Sequence, residues 1–274
     1  VAALDLVAHR VLWACLLLVV AMSLMGRLGA TLRQMCERKT LLTIATSATA
    51  QGCNWSLFVW AVTHDRAAEA SLGYFLLPLV NVAIGVLVLR ERIDRAQAIA
   101  IALALSGLGL LLVDRGGLPW VALGLSLSFG TYGLVRKLVT IGPLEGLTME
   151  TLFLAPLALG WIWLQDGAGF ARHGLQVDAL LVGSAVLTVV PLLFYVAASQ
   201  RLALTAMGLA FYIGPTMQLL VAVFVFKEPL QQVQLASFAL VWVGLGFIIA
   251  DTLRRYRHAR RIPAAGVRES AAQE

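Results

Sequence analysis

The stretch PLVNVAIGVLVLRERIDRAQAIAIALALSGLGLLLVD at residues 78–114 recurs without a gap as PTMQLLVAVFVFKEPLQQVQLASFALVWVGLGFIIAD at residues 215–251. The two copies lie 137 residues apart and are identical at 11 of 37 positions. Apolar composition alone does not account for the match, because several identities are residue types that are rare in apolar runs. These are Pro78 with Pro215, Glu91 with Glu228, Gln97 with Gln234 and Asp114 with Asp251. The chain therefore contains an internal duplication.

The whole chain is as apolar as the duplicated stretch. Of its 274 residues 60% are hydrophobic and 13% are charged, and the mean hydropathy is +0.85. Soluble proteins carry about 25% charged residues, so this chain has too few charges to cover a water-facing surface. The composition excludes a soluble enzyme, an extracellular module and a disordered regulator, and it predicts an all-α polytopic membrane protein.

Nine apolar runs are long enough to be membrane-spanning helices. They lie near residues 8–25, 41–62, 68–89, 96–113, 118–135, 146–164, 178–198, 204–226 and 232–251. We expect residues 1–114 to form the first repeat and residues 115–251 the second, followed by a basic, disordered tail at residues 252–274.

The basic residues indicate the orientation in the membrane. If the loop after the first span faces the cytoplasm and the sides then alternate, 16 of the 21 Lys and Arg residues lie inside and 5 lie outside. The positive-inside rule therefore predicts a cytoplasmic C-terminus. The same distribution accounts for the net charge of +6 without nucleic acid as a partner.

The repeat predicts one further helix ahead of the first span. The second repeat contains five spans and the first only four, because the span at 118–135 has no counterpart, and the chain begins with Val1 rather than Met. We infer a ten-helix, five-plus-five fold of which nine helices are in this chain. An odd number of spans per repeat gives the copies opposite orientations, as in secondary transporters with a substrate site near the bilayer midplane.

Several motifs carry a resemblance to a known family. They are EASLGYFLLPLVN at 69–81, the pair Glu91 and Arg92, LSFGTYGLVRK at 127–137, METLFLAP at 149–156 and YIGPT at 212–216. Together they resemble the RarD branch of the EamA-like drug/metabolite transporter superfamily. The resemblance implies a ten-helix inverted-repeat fold, a bacterial inner-membrane location and carrier-type movement of a small metabolite or drug, with an association with chloramphenicol sensitivity.

Polar side chains inside the spans are the candidate site residues, because a charge near the bilayer centre costs roughly 2.5–3.5 kcal/mol on insertion scales. Glu150 could bind a substrate amine or carry a proton, and the alternative is an ion pair with Arg136 or Lys137. Asn54 and Trp55 combine an amide with a flat indole ring, which suits an organic solute. The alternative for them is an interhelical hydrogen bond and a lipid-facing surface.

The other candidates follow from the repeat and from the tyrosines. Pro78 and Pro215 each remove a backbone hydrogen bond, which exposes a carbonyl to a cavity or simply kinks the helix. The tyrosines within or at the ends of spans could line a cavity or pack in the core. The candidate substrate-binding residues are Asn54, Trp55, Tyr74, Asn81, Tyr132, Glu150, Tyr212 and Gln218.

Four further ionisable residues are assigned structural roles. Glu91 and Glu228 each come just before the next helix, where a carboxylate complements the helix dipole. His9 and Arg10 lie at the outer edge of the first predicted span, where they could attract anionic solutes, although anchoring at the membrane interface is the favoured interpretation.

A secondary carrier that moves a small solute by alternating access is the leading functional hypothesis. A non-transporting assembly or regulatory subunit and an intramembrane enzyme are the alternatives; the four histidines are scattered, and no HExxH, GxSxG or Walker A motif is present. We expect no cofactor, no metal and no enzymatic activity. The expected partners are the lipid bilayer and a small-molecule substrate, and a homodimer is left open.

Overall fold

The computed structural model describes residues 3–64, 66–115, 120–165, 174–224, 227 and 232–261. Within these ranges the chain forms eleven α-helices. They are α1 (Ala3–Leu24), α2 (Leu28–Met35), α3 (Arg38–Thr63), α4 (Ala67–Leu87), α5 (Arg95–Arg115), α6 (Trp120–Leu138), α7 (Pro143–Leu164), α8 (Leu175–Arg201), α9 (Leu204–Ala210), α10 (Ile213–Phe224) and α11 (Gln232–Arg261).

The nine predicted spans are all helical. Eight of them contain one helix each, whereas the span at 204–226 is divided into α9 and α10 at Phe211 and Tyr212. Pro215 is the third residue of α10, where its missing N–H has no intrahelical partner to lose. Pro78 instead lies inside the continuous helix α4. The short helix α2, in the connection before α3, was not predicted.

Two predicted boundaries need correction. Helix α1 begins at Ala3 rather than near residue 8, so Arg10 lies two turns inside the helix and not at the edge of a span. Helix α11 continues to Arg261, ten residues into the predicted tail, because no proline or glycine interrupts residues 252–261. Residues 262–274 lie outside the described ranges, so the predicted disorder there stays a prediction.

Six of the described helices are long and apolar enough to cross a membrane, which makes the chain a multi-pass membrane protein that contacts lipid. These segments are Leu4–Leu24, Glu69–Leu87, Arg95–Val113, Pro143–Leu164, Leu175–Arg201 and Gln232–Asp251. Helix α3 is not among them, because Thr, Ser, Gln and Asn side chains run along much of its length.

The helices group into two compact units. The first comprises Val1–Glu91 and Pro119–Pro215, and the second comprises Arg92–Leu118 and Thr216–Glu274. In the first unit α1 packs against α7 and α8, and α4 packs against α6 and α9. Its largest hydrophobic cluster includes Leu18, Val59, Leu147, Val189 and Val196. Each unit takes helices from both predicted repeats.

In the second unit α5 and α11 meet through a self-complementary contact. A Cβ added to Gly107 would lie 2.9 Å from the Ser237 carbonyl oxygen, and a Cβ added to Gly244 would lie 3.0 Å from the Ala100 Cα. Gly107 and Gly244 are 137 residues apart, and so are Ala100 and Ser237. The contact of Gly107 with Ser237 and the contact of Gly244 with Ala100 therefore join equivalent positions of the two repeats. An inverted repeat with a two-fold axis requires such a pair of equivalent contacts.

Candidate functional site

A buried ion pair joins helices α6 and α7. The side chains of Arg136 and Glu150 are 0% and 3% exposed, and Arg136 Nε lies 3.6 Å from Glu150 Oε1. The Glu150 carboxylate also accepts hydrogen bonds from the hydroxyls of Ser47 at 2.7 Å and Tyr132 at 3.3 Å. These four side chains, the Glu150 cluster, therefore connect α3, α6 and α7 through one carboxylate.

The short connection between α6 and α7 shapes the space around this guanidinium. Arg136 Nη2 donates to the Gly142 carbonyl at 3.3 Å, and Gln200 of α8 holds the same connection by donating to the Ile141 carbonyl at 2.7 Å. A Cβ added to Gly146 would overlap the guanidinium of Arg136. Because that side chain is fully buried and held on both sides, only glycine leaves room for it at position 146.

A second carboxylate, Glu91, lies in the connection after α4, outside the membrane-spanning helices, and caps α9. It accepts hydrogen bonds from the backbone N–H groups of Leu204 at 2.8 Å and Thr205 at 2.9 Å, and from the Thr205 hydroxyl at 2.5 Å. Lys137 Nζ lies 3.8 Å from the same carboxylate. Glu91 does complement a helix N-terminus, as the sequence predicted, but the helix is α9 instead of α5.

Two local features explain this difference. Arg90 has a positive φ of 55°, a left-handed conformation that turns the chain just before Glu91. The start of α5 is capped instead by Asp94 and Gln97, whose side chains each accept the backbone N–H of the other residue at 2.9 and 3.0 Å. Glu228, the predicted counterpart of Glu91, lies outside the described residues.

The environment of Glu91 lowers its pKa. Partial burial alone would raise the pKa of this carboxyl, but the hydrogen bonds from Thr205 and Leu204 and the charge of Lys137 together hold it below its ordinary value. The ionised carboxylate therefore stabilises the folded chain at every pH above the pKa that Glu91 has when unfolded, about 4.3. This stabilisation is lost as the pH falls through the lower pKa of the folded state.

The first unit contains a cavity of about 330 Å³, and neither Glu91 nor Glu150 lines it. Four residues on one face of α3, with the spacing of successive helical turns, form part of its wall: Gln51, Asn54, Trp55 and Phe58. Helix α1 contributes Arg10, and α4, α6 and α8 complete the wall. The volume lies at the lower end of the range for small-molecule sites, about 300–1,000 Å³.

The wall of the cavity is largely aromatic. The ring of Phe129 lies 4.7 Å from that of Tyr195, which lies 5.4 Å from that of Phe211. On the other side Phe58 and Tyr74 meet edge to face at 5.9 Å. Such pairs hold one another in fixed orientations, so the cavity presents preformed aromatic faces to a solute.

The polar groups of the cavity are few and partly uncommitted. Asn54 is positioned by α6, because its amide nitrogen donates to the Leu125 carbonyl at 2.8 Å and the Ser128 hydroxyl at 3.0 Å. Gln51 is 3% exposed, yet its Oε1 meets no donor in the described part of the chain, and the buried Nε of Arg10 meets no acceptor there.

The structure brings together only some of the predicted site residues. Asn54, Trp55 and Tyr74 line the cavity. Tyr132 and Glu150 belong to the Glu150 cluster, where Glu150 has the arginine partner that was the alternative to a functional role. Their predicted functional roles stay predictions.

The remaining predicted residues lie elsewhere. Asn81 is fully buried where α4 meets α9, and a Cβ added to Gly208 would lie 2.6 Å from the Pro78 carbonyl oxygen at the same crossing. The Tyr212 hydroxyl donates to the Phe75 carbonyl at 3.3 Å. The side chain of Gln218 lies outside the described residues.

Sequence reasoning missed most of the cavity wall, including Arg10, Gln51, Phe129 and Tyr195. Gln51 carried a usable signal, since it lies one helical turn before Asn54 in the same apolar run. Arg10 was misplaced because the start of α1 was set too late. Tyr195 carried the same signal as Tyr74, since both are tyrosines within predicted spans, but it was not among the candidates. Phe129 carried no signal, because phenylalanines within spans usually pack in the core or face lipid. In the described part of the chain no three His, Cys, Asp or Glu side chains cluster as a metal site would require.

Comparison with solved structures supports the same architecture. A chain described as "Crystal structure of protein" superimposes with a TM-score of 0.62 at 17% identity, and the match covers 90% of this chain and 88% of that one. At this level of identity the likeness concerns the fold alone. Together with the apolar helices and the repeat, it defines a polytopic helical membrane protein.

Comparison with known sequences identifies the family. Residues 1–113 match the EamA-like transporter family. The chain is 38% identical over 267 residues to "Protein RarD" of Streptomyces exfoliatus, a match that covers 96% of this chain and 85% of that protein. It is 32% identical to "Chloramphenicol-sensitive protein RarD" of Pseudomonas aeruginosa, over 94% of this chain and 88% of that protein. The chain belongs to the EamA-like transporters and, within them, to the RarD branch.

Proposed function

We propose that this chain is a secondary carrier that moves a small organic solute across the bacterial inner membrane by alternating access. The observation that carries the proposal is the cavity of the first unit, whose wall combines Arg10 and the amides of Gln51 and Asn54 with several aromatic rings. Polar and charged side chains inside a membrane protein are costly, so their presence in a cavity wall is typical of a substrate site. We also propose that the C-terminus lies on the cytoplasmic side of the membrane.

A substitution that fills the cavity with a large side chain tests the proposal. Thr188 of α8 lines the cavity, whereas Val186, two residues away on the same helix, is 49% exposed and does not. Two residues of a helix turn through about 200°, so the two side chains point in nearly opposite directions. Thr188→Trp places an indole inside the cavity, and Val186→Trp places the same indole on the outer surface.

Transport is measured as exchange of labelled solutes in proteoliposomes that contain the complete protein, with a panel of metabolites and chloramphenicol. We expect Thr188→Trp to abolish exchange of the transported solute and Val186→Trp to retain it at the wild-type rate. Equal exchange by the two variants would contradict the assignment of this cavity as the substrate site. Absence of exchange for every solute would instead favour a regulatory subunit.

A further inference from the structure

We infer that the cavity selects a singly charged aromatic carboxylate, which is bound through Arg10 and the aromatic wall. The inference rests on the proposed function, because it names the substrate class of the same site. It comes from three properties of the cavity: the sign of its charge, its aromatic rings and its amide side chains.

The charge of the cavity has one sign. Arg10 is the cation among the described residues that line it, and no described Asp or Glu lines it. A half-buried guanidinium in a cavity wall without a described carboxylate is a ready partner for a carboxylate of the solute, which it can bind through two parallel hydrogen bonds. One guanidinium balances one negative charge, so a dianion such as a phosphate monoester would retain an unpaired charge.

The single positive charge of the cavity wall also disfavours amines and zwitterions as solutes. An ammonium group that entered the cavity would lose water without gaining a carboxylate partner from the wall. An amino acid could bind Arg10 through its carboxylate, but its ammonium would remain uncompensated. The charges therefore favour an acid that lacks an amino group.

The aromatic side chains of the wall favour a solute that contains an aromatic ring. The rings of Trp55, Phe58, Tyr74, Phe129, Tyr195 and Phe211 surround the cavity. A planar aromatic ring can stack or meet these rings edge to face, which a short aliphatic acid cannot do. The amide side chains of Gln51 and Asn54 also belong to the wall, where a hydroxyl group of the solute can meet them. A hydroxylated aromatic acid therefore matches the charge, the rings and the amides of the wall.

The first test is equilibrium binding of radiolabelled 4-hydroxyphenylacetate to the detergent-solubilised complete protein. The competitors share its ring and differ in charge: 4-hydroxyphenylacetamide is neutral, tyramine is a cation and tyrosine is a zwitterion, while acetate lacks the ring. We expect the labelled acid to bind and each competitor to bind at least about tenfold more weakly, because a charge-assisted contact is lost or an opposing charge is added. Failure of the labelled acid to bind, or equal binding of the amide or the amine, would overturn the inference.

Arg10 variants locate the contact. Arg10→Gln is expected to weaken binding of 4-hydroxyphenylacetate by about tenfold or more and to leave binding of the amide within about twofold. Arg10→Lys, which keeps the charge but not the paired hydrogen bonds, should fall between Arg10→Gln and the wild type. Arg33→Gln removes the same charge from an exposed residue of α2 and should bind as the wild type does. An Arg10→Gln chain that binds the acid with wild-type affinity would overturn the inference.

A transport measurement separates this inference from the proposed function. Binding of the acid that depends on Arg10, without its exchange across proteoliposomes, would contradict carrier function and leave the ligand class standing. Exchange of neutral or cationic solutes with no preference for the acid would contradict the ligand class and leave carrier function standing.

Discussion

The Glu150 cluster makes the sharpest prediction about stability. Glu150→Gln preserves the shape of the side chain and retains one oxygen, which can accept from either Ser47 or Tyr132, but it removes the charge opposite Arg136. The guanidinium would then be fully buried with only the Gly142 carbonyl as an acceptor. Removing one partner of a buried ion pair costs about 3–5 kcal/mol, and we expect Glu150→Gln to lower the free energy of unfolding by that amount.

The assay is reversible unfolding in mixed micelles with increasing SDS, applied to a double-mutant cycle. Arg136→Met alone leaves the carboxylate without its cation, whereas the double variant leaves no unpaired charge. We therefore expect the double variant to lose less stability than the two single variants summed, by about 0.5–3 kcal/mol. A loss below about 1 kcal/mol for Glu150→Gln, or strict additivity, would refute the account of this cluster as a structural ion pair.

The same variant tests the other role that the sequence suggested for Glu150. If Glu150 carries the coupling proton, Glu150→Gln reconstituted in proteoliposomes should lose the dependence of transport on a pH gradient. If the carboxylate only holds Arg136, folded Glu150→Gln should retain that dependence while unfolding at lower SDS. Ser47→Ala is the control, since it removes one hydrogen bond from the cluster and leaves both charges in place.

Three further predictions concern positions outside the cavity. Because the native pKa of Glu91 is lowered, the wild type should lose stability as the pH falls from about 5 to 3. Thermal unfolding should show that Glu91→Gln loses less stability over the same interval. Equal losses of stability in the two proteins would contradict the capping role of Glu91. Gly107→Ala, which meets Ser237 across the α5–α11 contact, should unfold at lower SDS than Gly109→Ala, whose added Cβ meets nothing within 4 Å. Gly146→Ala should destabilise the chain by about 1–3 kcal/mol through overlap with Arg136, and wild-type stability would contradict the close packing there.

The sequence predicted the architecture because hydropathy and repetition are local signals. Runs of about twenty apolar residues predicted helices at nine positions, and six of those helices are long and apolar enough to cross a membrane. The offset of 137 residues makes Gly107 and Gly244 equivalent, and they make equivalent contacts with Ser237 and Ala100. The break between α9 and α10 also had a signal in Pro215, for which the sequence predicts either a carbonyl exposed to a cavity or a kink within one helix.

The site was less predictable because it depends on which helices meet. Asn54 and Trp55, chosen for their polarity within a span, line the cavity, and their role in binding stays a prediction. The spacing of Arg136 and Glu150 allowed either an ion pair or a functional carboxylate. Only packing decided that Arg136 reaches Glu150 while Lys137 turns to the Leu202 carbonyl at 2.5 Å. Glu91 likewise caps a helix that lies more than a hundred residues further along the chain. This is a tertiary contact, and the residues around Glu91 in the sequence do not indicate it.

Accessibility of the cavity from both sides of the membrane tests the central claim most directly. The three native cysteines, Cys15, Cys36 and Cys53, are free and can be replaced by serine or alanine, after which Thr188→Cys provides one thiol in the cavity wall. The measurement is labelling of this thiol by a small, membrane-impermeant methanethiosulfonate in sealed vesicles of either orientation. A carrier that works by alternating access predicts labelling from each side, slowed by the transported solute. Labelling from one side alone, unaffected by any transported solute, would contradict the account.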